Sequence, residues 1–139
     1  MVTRNQIISE AKTWIGTPFH YHARIKGVGC DCVGLIIGVS EALGIQCLDQ
    51  LLLPNYDVYK DKDYLLECMY SNFKSGSKTK GAIAVVGSKD RGWHIGLLNT
   101  IVGNKFTWIH SCMITGMVTE KRFFGGAFYF DFPMIDIGS

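Results

Sequence analysis

Apolar residues near the start of the chain recur at helical spacing: Ile7, Ile8, Ala11, Trp14 and Ile15 share one face. Thr3 and Gln6 form a capping-box pair ahead of them, and Gly16 and Pro18 follow as stop signals. A first helix is therefore expected up to Gly16. Residues 17–29 read as a loop carrying the aromatic and histidine cluster FHYH at 19–22. A second helix is expected after Asp31, with Leu35, Ile36, Val39, Ala42 and Leu43 on its buried side and Gly44 at its end. A third is expected over Asp61–Phe73, with Leu65, Leu66, Met69, Tyr70 and Phe73 as its apolar stripe.

Beyond the polar loop 75–80 the period changes from helical to strand-like. Strands are expected at AIAVVG (82–87), WHIGLLN (93–99), KFTWIHSCM (105–113), MVTEKRF (117–123) and AFYFDF (127–132), separated by glycines and short polar turns. Helices followed by an antiparallel meander predict an α+β domain, with the N-terminal helices packed on one sheet face. There is no internal repeat or low-complexity linker, so residues 1–139 are expected to form one domain.

Composition narrows this picture. Apolar residues make up 47% and charged residues 19% of the chain, an ordinary globular balance. The formal charge of +2 is too small to argue for nucleic acid, and the densest basic cluster, Lys74, Lys78 and Lys80, reads as a solvated loop. Five irregularly spaced cysteines argue against a disulfide scaffold and for reduced thiols. The segment MVTRNQIISEAK has no apolar signal region, and glycines and polar residues interrupt every apolar run. The chain is thus expected to be made in the cytoplasm without a signal peptide and not to insert into a membrane.

The stretch GVGCDCVGLIIG (27–38) carries the first candidate chemistry. Cys32 falls in the first turn of the second helix, where unpaired N–H groups favour a thiolate and can bind an oxyanion. Most cysteines are instead small buried core residues. Gly34 and Gly38 lie on one helical face and admit close approach. A thiolate nucleophile needs a base, and His20, His22, His94 and His110 are available. His110 alternates with Phe106, Trp108 and Cys112, which places it on an aromatic face. His94 and His110 share that face only if the turn between their strands has odd length: a turn over 101–103 sets them side by side, and one over 102–103 sets them on opposite faces.

Taken together, GCDCVGLI, GWHIGLL and WIHS resemble the NlpC/P60 family of papain-like cysteine peptidases. WIGTPFHYHARIKGVGCDCVGL and FFGGAFYF are similar to the branch of that family associated with phage tails and gene transfer agents. The resemblance spans roughly residues 8–132, loosely over 45–75. It implies a papain-like fold, Cys32 as nucleophile, His94 as base and His110 as the residue that orients His94. It also implies an acyl-enzyme route that hydrolyses peptidoglycan stem peptides, typically at γ-D-glutamyl bonds to a diamino acid, with no cofactor or metal. The implied partners are those stem peptides and phage tail proteins, with the enzyme carried in a phage particle or delivered to the periplasm.

Asp31 matches an aspartate that helps bind a substrate amine in some members. Phe19 stands where the family usually has tyrosine, with Tyr21 as a nearby hydroxyl, and Val33 where it often has serine. A Gly81-Ala82 pair replaces the family's strand Gly-Asp. The loss of polar groups at Phe19 and Val33 predicts an endopeptidase acting on intact wall stems. Two other functions fit the same residues: an inactive tail protein that keeps the fold, and a metal-binding module using Cys30, Cys32, His94, His110 and Cys112. Cys-x-Cys and His-x-Cys are each one residue tight for the usual zinc knuckle.

Overall fold

The computed structural model of the chain describes residues 1–45, 62–88, 92–101 and 103–136. A short strand β1 (Val2–Thr3) leads into α1 (Arg4–Lys12), capped by the reciprocal Thr3–Gln6 pair that the sequence predicts. The helix closes earlier than the periodicity suggests. Thr13 is its C-cap, its Oγ1 donating to the Glu10 carbonyl at 2.6 Å, and Ile15 lies outside the helix with 45% of its surface exposed. Trp14 is buried all the same, its indole N–H held by the Glu10 carboxylate at 2.9 Å.

The expected loop over 17–29 contains a small hairpin, β2 (Arg24–Ile25) and β3 (Gly29–Cys30), paired antiparallel. Neither strand has the apolar alternation that would announce it, because Arg24 and Ile25 are exposed. Pro18 and Phe19 form bridges to Met117 and Cys30, so this segment continues the edge of the main sheet.

Next comes α2 (Cys32–Ala42), whose N-cap Asp31 accepts from the Gly34 N–H at 2.7 Å. Its residues 32–40 are buried without interruption, whereas Ala42, placed on the buried stripe above, is exposed. A helix apolar on every side lies inside the molecule rather than on its surface. Two glycines allow that depth. A Cβ at Gly34 would stand 2.0 Å from the Ala23 carbonyl oxygen, and one at Gly38 would stand 2.1 Å from the Trp14 ring. Gly34 therefore admits a backbone, as expected, while Gly38 admits an indole.

Helix α3 (Lys62–Asn72) buries Leu65, Met69 and Phe73, the last just past its end, but exposes Tyr70, another departure from the expected stripe. The expected start at Asp61 and the position of Cys47 lie outside the described residues. Then follow β4 (Lys74–Ser75), β5 (Ile83–Ser88), β6 (Gly92–Ile101), β7 (Lys105–Cys112), β8 (Met117–Arg122), β9 (Phe128–Asp131) and β10 (Ile135–Asp136).

Strands β5 to β8 form the predicted antiparallel meander. The last long strand departs from it: β9 returns to pair with β5, giving the order β4-β9-β5-β6-β7-β8. That return sets Phe130 opposite Ile83, both fully buried. β1 and β10 form a separate parallel pair. The result is a mixed α+β arrangement with two apolar layers. Ile95, Leu97, Ile109, Val118 and Phe130 belong to the layer containing α1, α2 and α3, whereas Ala82, Ala84, Leu98 and Phe123 pack with Trp108 on the opposite face. Among the described residues, no helix is long and apolar enough to cross a membrane.

Candidate active site

The β6–β7 turn settles which face the two strand histidines occupy. Ile101 pairs with Lys105, so three residues, 102–104, separate the strands. Gly103 (φ +81°) and Asn104 (φ +59°) take left-handed conformations, which their residue types tolerate, and this moves the turn one residue beyond 101–103. The turn length is odd, so His94 and His110 share a face. They are diagonal rather than side by side, because the register continued past Leu97–Ile109 sets Cys112 opposite His94 and Gly96 opposite His110.

His94 Nε2 and His110 Nδ1 are hydrogen-bonded at 2.6 Å. Trp108 holds both rings in place. Its indole stacks on His110, with ring centroids 4.4 Å apart, and meets His94 edge-on at 5.3 Å. Gly96 makes room for this packing, because a Cβ there would stand 2.7 Å from the indole and 3.0 Å from the His110 Cβ. The Cys112 sulfur joins the pair, and one ligand atom from each of His94, His110 and Cys112 lies within 4.8 Å of the others.

Burial sets the charge state of the pair. It pushes His94 down to about 4 and His110 down to about 3, the latter also through the neighbouring His94 and Lys121. Both imidazoles are therefore neutral at neutral pH, and they titrate as a coupled unit. His110 Nε2 is buried without a hydrogen-bond partner among the described residues, as is Oγ1 of Thr119, which stands directly opposite it on β8.

A pH dependence of stability follows. Both folded values lie below the unfolded value of about 6.5, so in between the unfolded chain binds more protons and stability rises with pH. The contribution is complete above pH ~6.5 and is lost as pH falls from there to about 4 for His94 and about 3 for His110. Thermal melts in metal-free buffer should be flat above neutrality and fall below pH ~6.5, by up to about 1.4 kcal/mol per pH unit for each imidazole. A His94→Gln/His110→Gln double variant should lose most of the slope between pH ~6.5 and ~4.5, while a wild-type slope in that variant would assign the effect to other groups.

The remaining predicted residues lie around the head of α2. Cys32 is in the first turn, fully buried, and belongs to the larger core layer. Asp31 is also fully buried, and its carboxylate accepts from the Gly34 N–H and from the His22 N–H, at 2.7 Å and 2.9 Å. The group that the resemblance matches to a substrate amine thus serves as a helix cap and loop anchor in this chain. Val33 is buried, Phe19 half-buried, and Tyr21 exposed at 48% with its hydroxyl 3.0 Å from the Met113 sulfur. Phe19 and Tyr21 meet edge-on at 5.1 Å.

His20 and His22 are exposed and remote in character from the buried pair. Cys30 is held protonated by burial, which raises its thiol to about 11 despite a hydrogen bond with Ser111, while Asp31 adds to the rise. The Ser111 hydroxyl donates to the Cys30 carbonyl at 2.7 Å. Ser111 lies between His110 and Cys112 in β7, so this bond ties the residue before the Asp31 cap to the strand end that carries the imidazole pair. Nothing in the sequence marks Ser111 for that role. No protein-family model matches the chain, and no match to it is found among curated proteins.

Proposed function

We propose that the protein is a papain-like cysteine peptidase that hydrolyses amide bonds in peptidoglycan stem peptides, with Cys32 as nucleophile, His94 as base and His110 as orienting residue. The observation that carries this reading is the 2.6 Å bond between His94 Nε2 and His110 Nδ1, a neutral base held by a neighbour on the next strand. In the productive tautomer His94 donates its Nε2–H to His110 Nδ1, and its Nδ1 lone pair is left to accept a proton. His110 fixes that tautomer without a carboxylate's charge.

The Cys32 thiol gives its proton to His94 Nδ1, and the thiolate adds to the scissile carbonyl. The N-terminal end of α2 supplies positive potential for the oxyanion. His94 then returns the proton to the departing amine, leaving a thioester that water hydrolyses with His94 again as base. The Ser111–Cys30 bond ties the head of α2 to the strand that carries His110. The sequence motifs support the wall substrate, the preference for γ-D-glutamyl bonds in intact stems, and a place among phage tail proteins that open the wall.

Purified peptidoglycan digested with wild type, Cys32→Ala and Cys112→Ala, followed by mass spectrometry of the fragments, tests the proposal. Wild type and Cys112→Ala should release the same stem fragments, and Cys32→Ala none. Loss in Cys112→Ala with activity kept in Cys32→Ala would move the nucleophile to β7. A folded wild type that cleaves no wall fragment would support an inactive structural protein instead.

A further inference from the structure

We propose that His94, His110 and Cys112 form a binding site for a soft divalent metal ion, Zn²⁺ foremost, and that its occupancy switches off the proposed hydrolysis. The ligand atoms come from two hydrogen-bonded strands and already lie within 4.8 Å of one another. Two imidazoles and a thiolate are a donor set suited to zinc, and three protein ligands leave a fourth position for water. Zinc holds nitrogen at about 2.0–2.1 Å and sulfur at about 2.3 Å in a tetrahedron, which puts donors roughly 3.3–3.7 Å apart. The imidazole nitrogens must therefore part slightly from 2.6 Å, and the sulfur must draw in. Half-buried His94 and Cys112 give an ion a way in, and buried His110 gives the site a fixed floor against Trp108.

One outer contact that a ligated imidazole would use is not made in this structure. A metal-bound histidine holds its ring through the other nitrogen. His110 Nε2 is buried and lacks a partner among the described residues, and Thr119, directly opposite, has a hydroxyl in the same condition. Binding at His110 Nδ1 keeps the proton on Nε2.

Metal binding and catalysis compete for one proton. In the productive tautomer His94 carries its proton on Nε2, so a metal that takes the Nε2 lone pair moves that proton to Nδ1. Nδ1 can then no longer accept the proton of Cys32. Cys112 releases its thiol proton to solvent as the sulfur–metal bond forms, so binding strengthens as pH rises. The inhibition rests on the peptidase reading, whereas the binding does not.

Titration of the reduced full chain with Co²⁺, read by absorption, tests the site without any enzymatic assay. One equivalent should produce a thiolate-to-cobalt charge-transfer band that Cys32→Ser keeps and Cys112→Ser loses. Zn²⁺ should displace the cobalt, raise the melting temperature of wild type, and bind Cys112→Ser roughly 100-fold or more weakly. In wall digestion, Zn²⁺ should inhibit wild type reversibly with a chelator, while Cys112→Ser works equally well with or without it. Absence of the band, or its survival in Cys112→Ser, overturns the site even if the enzyme is active. A site that binds while no variant cleaves wall overturns the peptidase reading alone.

Discussion

Alanine in place of His94 should lower the rate of wall hydrolysis by about 10²–10⁴, the usual contribution of a positioned general base. The loss should fall on kcat more than on KM, because His94 acts on a proton in flight rather than on the resting substrate. The Cys32 thiol would also lose its acceptor, so its alkylation by a small neutral reagent should slow in the same variant. His110 acts only through His94. His110→Asn can still offer an acceptor to His94 Nε2 and should lose less than His110→Ala. The double variant His94→Ala/His110→Ala should then be little worse than His94→Ala alone, since residues that work as a unit do not add. Unaltered hydrolysis in a folded His94→Ala protein would falsify the assignment, and a matching loss in His22→Ala would point to the loop histidine.

The sequence revealed the parts of this site that depend on periodicity. The Thr3–Gln6 box, the start of α2 at Asp31 and the run of strands from 82 onward all follow from spacing alone. The shared face of His94 and His110 reduces to the parity of one turn. Only an odd turn gives one face, and Gly103 and Asn104 supply it one residue later than the turn over 101–103.

What stayed hidden depends on distant partners. The β2–β3 hairpin has no alternating pattern because each strand is two residues long, β2 exposed and β3 buried, and Phe19 bridges it at Cys30. The return of β9 to β5 is a choice between sheet edges, and alternation within AFYFDF is the same for either. Asp31 is matched by motif to a substrate contact, and nothing in the motif announces that its buried carboxylate also caps α2 and holds the His22 N–H. Val33 and Phe19 changed the expected polarity of the substrate end, and both are covered to some degree by the fold.

The largest effect on stability should come from a pair that periodicity could not expose. Arg4 opens α1 at a position where an arginine is normally solvated, yet its side chain is only 7% exposed and meets Asp131 at 3.0 Å. The same guanidinium nitrogen donates to the Lys80 carbonyl at 3.2 Å. One residue thus joins α1, the turn before β5 and the end of β9. The turn is built around it, since a Cβ at Gly76 would stand 3.1 Å from the Asp131 carboxyl carbon and one at Gly81 3.2 Å from the Arg4 Cβ. Removing one member of a buried pair leaves the other charged in a low-dielectric setting, at a cost of about 3–5 kcal/mol. Asp131→Ala should therefore lower the urea midpoint sharply with little change in slope, because the surface exposed on unfolding is nearly unchanged. Replacing both by apolar residues of similar volume, Arg4→Met with Asp131→Leu, should recover much of the loss by removing the stranded charge. A double variant as unstable as Asp131→Ala would show instead that the Lys80 carbonyl and the turn depend on the guanidinium itself.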